Sequence, residues 1–148
     1  MDFELLPIYF ENFKKYMDKS ISNVIKQYGI TFIQFRPIVL LNRHKEDGLS
    51  LQELTEKIGI DKANVTRVIN DLLEKDIVYK SDLKQRGYKI KLTKKGLEIA
   101  NKIINEKEKM HEKLFMCFSE EEKEQFFSLL IKMYESIPNG EENNEKDI

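Results

Sequence analysis

Seven basic residues, Lys80, Lys84, Arg86, Lys89, Lys91, Lys94 and Lys95, fall within sixteen consecutive positions that contain a single acid, Asp82. The segment carries +6 and the other 132 residues carry -7, so a net charge of -1 hides one strongly basic locus. Ammonium and guanidinium groups at that density are suited to phosphate oxygens. A second set lies upstream, where Lys62, Asn64, Thr66 and Arg67 interleave with Val65, Val68 and Ile69. Arginine offers two parallel donors that match a guanine edge, and asparagine a donor and an acceptor that match adenine. The chemistry suggested is recognition of double-stranded DNA, with Lys62, Asn64, Thr66, Arg67, Lys84, Arg86, Lys89 and Lys91 as the candidate contacts.

Catalysis is not suggested. There is no glycine-rich phosphate loop, no Ser or Cys beside a credible His partner, and the two histidines, His44 and His111, are far apart in sequence. The expectation is a non-enzyme with no catalytic residue, no metal and no cofactor. Cys117 is the one cysteine, which excludes an internal disulfide framework; with Leu114, Phe115, Met116 and Phe118 around it, it reads as a small core residue.

The elements that must carry the two basic sets are legible from periodicity. Apolar residues from Leu6 through Tyr28 recur at three-and-four spacing and draw one helix, which Gly29 stops. Thr31 and Gln34 have capping-box spacing and open a second helix to about Arg43, in which Pro37 predicts a kink or a restart. Ser50 and Glu53 form a second box that opens a short helix ending at Gly59. Asp61 caps a longer helix whose apolar face is Val65, Val68, Ile69, Leu72 and Leu73. A short helix, three residues and a longer helix give the spacing of a helix-turn-helix.

Ile77-Val78-Tyr79 begins a strand, and Tyr88, Ile90 and Leu92 alternate with Lys89, Lys91 and Thr93, which predicts a hairpin with one basic face and a polar tip from Asp82 to Gly87. A long helix from Thr93 to about Phe118, roughly 37 Å, follows. Ser119 and Glu122 form a third box before a final helix that Pro138-Asn139-Gly140 stops. The Asn/Glu-rich residues 139–148 read as a disordered tail. At 148 residues and 41% apolar content the chain suits one core, and neither a membrane-length apolar run nor a signal-peptide start is present; it reads as cytoplasmic.

In order and spacing the chain resembles the MarR family of winged-helix regulators. The resemblance rests on Gly29-Ile30-Thr31 with Gln34, Leu51-Gln52-Glu53-Leu54, Ile58-Gly59-Ile60, Val65-Thr66-Arg67-Val68-Ile69 with Leu72, and Arg86 ahead of Leu92-Thr93 and Gly96. It implies a mainly α fold with a small β-hairpin wing, built as a winged helix-turn-helix lobe plus a helical dimerisation region. Residues 1–29 would be the N-terminal dimerisation helix, 30–95 the DNA-binding lobe and 96–138 the C-terminal dimerisation helices.

The function implied is a homodimeric repressor, released by an unknown small-molecule effector and reading a pseudo-palindromic operator. The recognition helix, with Thr66 and Arg67, would enter the major groove and Arg86 on the wing the minor groove. The alternative is a winged-helix module for protein contact without sequence-specific DNA binding, which requires an exposed apolar patch in place of the basic one. Tyr9, Phe13, Tyr16 and Tyr28 are the candidate effector-pocket residues. One departure concerns the wing: an aspartate often stands two residues before the wing arginine in the family, and here that position is Lys84, with Asp82 the nearest acid.

Overall fold

The computed structural model describes residues 2–81 and 87–137 and divides the chain into two compact units, Met1–Met110 and His111–Ile148. The first unit opens with a 3-10 turn, Phe3–Leu5, and helix α1, Leu6–Gln27. Only the last part of α1 is buried, through Ile21, Val24 and Ile25; the apolar residues from Leu6 to Met17 are exposed. Gly29, at φ +61°, lets its own N–H reach the Lys26 carbonyl and that of Ile30 reach Ile25, which closes the helix in a Schellman arrangement.

Helix α2, Phe32–Arg43, starts on the expected box: Gln34 N–H donates to Thr31 Oγ1, and Thr31 N–H to Gln34 Oε1 at 3.1 Å. One helix continues through Pro37, so α2 does not restart there. Pro37 removes only the bond to the Ile33 carbonyl, and its ring is fully buried next to Ile38 and ahead of Leu41, so packing offsets the lost bond.

Helix α3, Leu51–Ile58, begins at the Ser50–Glu53 box and ends at Gly59, whose φ of +74° turns the chain toward α4, Lys62–Glu74. Asp61 caps α4 by accepting Asn64 N–H at 3.0 Å. At the other end Asp76 takes the left-handed position (φ 56°) in a second Schellman closure, with Asp76 N–H on Leu73 and Ile77 N–H on Leu72. The antiparallel pair β1, Val78–Ser81, and β2, Lys89–Leu92, is registered Val78 with Leu92 and Ser81 with Lys89. Sequence periodicity did not show that Leu49 bridges Ile90 in both directions, Leu49 N–H to Ile90 O at 3.1 Å and Ile90 N–H to Leu49 O at 2.8 Å, adding a third edge to the hairpin base.

The core gathers residues from all these elements, with Ile38, Leu41, Leu54, Val65, Leu72, Ile77, Ile90, Ile99 and Ile103 at or near zero exposure. Helix α5, Lys94–Phe115, contributes Ile99, Ala100 and Ile103. It is 22 residues, about 33 Å, and ends earlier than its apolar pattern suggested.

In the second unit helix α6, Glu120–Glu135, starts on the third box. Phe115 packs against Phe118, Phe126 and Phe127 with ring centroids 5.3–5.7 Å apart. Cys117, expected in the core, is exposed: α5 has ended, the neighbouring phenyl rings take the inward side, and the thiol lies 3.8 Å from the Leu114 carbonyl. Residues 139–148 lie outside the described ones.

Gly96, in the first turn of α5, gives the sharpest packing test. A Cβ there would sit 2.1 Å from the Ile77 carbonyl oxygen and 3.1 Å from Leu92 Cδ2, and both belong to the hairpin base. Gly96→Ala should therefore destabilise the protein by about 2–3 kcal/mol in a denaturant titration. An unchanged midpoint would mean that α5 does not press on β1 and β2.

Candidate nucleic-acid interface

Burying Val65, Val68, Ile69 and Leu72 fixes the rotation of α4, because each residue advances about 100°. Ala63, Arg67 and Asn70 then lie opposite the core, and all three are exposed. Lys62 is exposed in the first turn, while Asn64 and Thr66 are half-buried on the flanks. Two of these side chains have local partners: Asn64 Nδ2 donates to Asp61 Oδ2, and Thr66 Oγ1 donates to the Lys62 carbonyl at 2.8 Å. Each keeps a free acceptor oxygen, and Arg67 keeps its fork. The helix thus presents a cation, an amide, a hydroxyl and a guanidinium along its N-terminal two turns. Ala63 was missed in the sequence reading; a methyl on the outermost line of the helix permits close approach.

The hairpin divides its lysines into two kinds. Lys80 is exposed and lies 4.5 Å over the Tyr88 ring, and Lys94 is exposed at the start of α5. Lys89 instead pairs with Glu53 at 2.6 Å, Lys91 donates to the Glu46 carbonyl, and Lys95 donates to the Lys75 carbonyl at 2.9 Å. Glu53 Oε2 also accepts Ser50 N–H at 2.7 Å, so one carboxylate oxygen serves both the α3 cap and β2. These donors, chiefly Lys89 and then the Ser50 N–H and hydroxyl, pull the Glu53 carboxyl down from 4.5 to about 2. Lys84, Arg86 and Asp82 fall outside the described residues.

A buried polar bracket fixes the far end of α4. Gln34 is 4% exposed; its Nε2 donates to Asp71 Oδ2 at 3.3 Å and its Oε1 accepts Lys75 Nζ at 3.1 Å. Lys75 Nζ also donates to the Gly29 carbonyl, which ties the end of α1, the start of α2 and the end of α4 together. Gln34 was legible as a capping residue; its bond to Asp71 spans 37 positions and left no local signal.

The four candidate pocket residues are not brought together. Tyr9, Phe13 and Tyr16 share an exposed side of α1, whereas Tyr28 is half-buried against the core with Lys102 over its ring at 5.8 Å. A separate basic cluster, which the sequence reading did not pick out, lines a shallow cleft of about 300 Å³ between α2 and α3: Arg36, Arg43 and Lys57 around Phe35, Val39, Leu40 and Ile58. Lys107 sits 4.7 Å over the Phe35 ring, and burial, then the Arg43 charge, push its ammonium below the usual lysine value.

A capped helix with Asn64, Thr66 and Arg67 off its buried face, set after a short helix and before a lysine-bearing hairpin, defines a winged helix-turn-helix fold. Residues 28–87 match the model of the MarR family. Among characterised relatives it is 28% identical over 97 residues to the HTH-type transcriptional regulator SarZ of Staphylococcus aureus (strain USA300), an alignment covering 60% of this chain and 64% of that protein. It thus spans less than two thirds of this relative's length. A MarR transcriptional regulator from Methanosarcina mazei Go1 superposes with a TM-score of 0.72 at 27% identity, over 91% of this chain and 90% of that one. Staphylococcus aureus MepR, solved as a complex with DNA, superposes with a TM-score of 0.75 at 24% identity, over 88% and 97% of the two chains.

Two titrations follow from these environments. The depressed Glu53 value means that its stabilising contribution is complete above pH 4.5 and is lost as pH falls toward about 2. Acid unfolding of Glu53→Gln should accordingly be flatter over that interval than that of the parent. Lys107 has the opposite sign for a cation: the fold penalises its charged form, so stability rises with pH through the lowered value toward 10.5. Lys107→Met should raise the melting temperature by about 1–2 °C, and a fall in differential scanning calorimetry would contradict the burial argument.

Proposed function

We propose that this protein is a cytoplasmic, homodimeric transcriptional regulator that binds DNA, a repressor released by a small-molecule effector. The observation that carries the reading is the row Ala63, Arg67 and Asn70 on the face of α4 opposite its buried side, with Lys62 exposed in the first turn and Asn64 and Thr66 on the flanks. The helix N-terminus and Lys62 suit a phosphate, and Asn64 and Arg67 suit adenine and guanine edges in a major groove. Lys84 and Arg86 supply the wing contacts to the minor groove, and Lys80 and Lys94 lie close enough in sequence to extend the phosphate footprint. The family match and the MepR–DNA complex support the DNA reading.

The dimer follows from exposed apolar surface on both terminal helices. Phe10, Phe13 and Met17 on α1, and Phe127, Ile131 and Tyr134 on α6, are far too exposed for a monomer of 148 residues. In this reading residues 1–29 and 96–138 furnish the dimer contact and 30–95 the DNA-binding lobe; Tyr9, Phe13 and Tyr16 then serve the contact, or a pocket completed by the second copy. Two-fold symmetry calls for half-sites about 10 bp apart or a multiple of it.

Light scattering should give about 35 kDa, twice the 17.6 kDa chain. Genomic fragments selected by the protein should share a pseudo-palindrome, and affinity for it should fall about 10³- to 10⁵-fold between 50 and 200 mM salt. Arg67→Ala should weaken operator binding by about 1–3 kcal/mol and relax preference at one base pair per half-site, with the melting temperature unchanged. A flat salt dependence together with a monomeric mass would remove the proposal in favour of a protein-contact module.

A further inference from the structure

The hairpin base is held to the helix-turn-helix by an ion pair whose acid already has a structural task, and its geometry suggests a role beyond stability. Glu53 stands at the third position of α3 and closes the capping box with Ser50, while the same Oε2 receives Lys89 Nζ from β2 at 2.6 Å. Around this point β2 is held twice more, by the Leu49–Ile90 bridge and by Lys91 on the Glu46 carbonyl. Ser81 Oγ, on β1, accepts Lys89 N–H at 3.2 Å and donates to the Lys89 carbonyl at 3.1 Å, so Lys89 is fixed through both backbone and side chain.

We infer that Glu53 is the positioning residue of the wing, with Lys89 acting as a strut between β2 and α3 instead of as a phosphate contact. The inference rests on the DNA-binding reading above and assigns a division of labour within it. A two-stranded hairpin is marginal in water and free to tilt. Contacts by α4 and by the wing are made together only when the angle between them is set beforehand, since ordering it on binding opposes association. The tie to Glu53 sets that angle where β2 meets α3, while Lys80 and Lys94, which have no carboxylate partner among the described residues, keep their charges for phosphates. Both side chains of the pair are about a third or more exposed, so the pair adds only modestly to overall stability and its loss falls chiefly on geometry.

Glu53→Gln isolates this role. Gln34 performs the same capping task at the third position of α2, so glutamine at 53 keeps the α3 cap and removes only the charge that holds Lys89. Operator affinity of the parent, Glu53→Gln, Lys89→Gln and the double variant would be measured by fluorescence anisotropy over a range of salt, with amide exchange read at Leu49 and Ile90. The expected result is a loss of about three- to tenfold in each single variant, no further loss in the double, an unchanged salt slope and faster exchange at both amides. The opposite pattern would overturn the inference: tighter or unchanged binding in Glu53→Gln, or a salt slope reduced by about 0.9 per lobe in Lys89→Gln alone. A parent protein that binds no DNA would overturn the DNA-binding reading and this inference with it, whereas a parent that binds and a Glu53→Gln variant that matches it removes the inference only.

Discussion

Four side chains on one side of a thirteen-residue helix control what the rest of the molecule can present. Val65, Val68, Ile69 and Leu72 are inserted into the core, each stabilising by roughly 1.5–3 kcal/mol relative to exposure, and a helix so anchored has one permitted rotation. Slippage by one residue would turn the helix through about 100°, burying polar flank groups and exposing apolar ones. Translation along the axis is blocked at both ends. Asp61 fixes the first turn, and the Gln34–Lys75–Asp71 bracket with the Schellman turn at Asp76 fixes the last. The outward row is therefore a consequence of core packing.

Charge is arranged by a similar economy. The +6 segment reads in sequence as a uniform basic surface, but among its described lysines three reach back into the protein while Lys80 and Lys94 meet no carboxylate. Lys89, Lys91 and Lys95 reach back to Glu53, Glu46 and Lys75, each across at least twenty positions. A lysine suits both uses because a long apolar stem lies along protein while the head finds either a carbonyl or solvent.

Elements governed by local rules were legible from sequence alone. Three capping boxes, the Asp61 cap, Gly29 and Gly59 as stops, and the alternation through Ile90 and Leu92 all depend on neighbours within four residues, and all are present. Long-range partners were not legible. Glu53 was read as a cap because its cap partner is three residues away; its strut partner is 36 away, and a lysine in a strand carries no mark of which acid it meets. Pro37 shows the converse: the case for a restart of the helix weighs one lost bond, while tertiary burial of the ring and its neighbours keeps α2 continuous. Cys117 misled because apolar neighbours in sequence do not share one face once the helix has ended.

The same distinction bears on the wing, where this chain departs from the pattern of the family whose model residues 28–87 match. A carboxylate near the tip orients an arginine through a short local contact, and Lys84 occupies the position where that carboxylate often stands. Among the described residues, the carboxylate that meets the hairpin is at its root, on α3 of the helix-turn-helix. Restraint at the root fixes the direction of both strands, whereas restraint at the tip would fix one side chain and leave the hairpin angle open. A narrow minor groove supplies enough negative potential to draw in an arginine that is delivered to its mouth. If the wing reads DNA as proposed, the acid that sets the direction from which its arginine is delivered lies on α3, outside the wing itself.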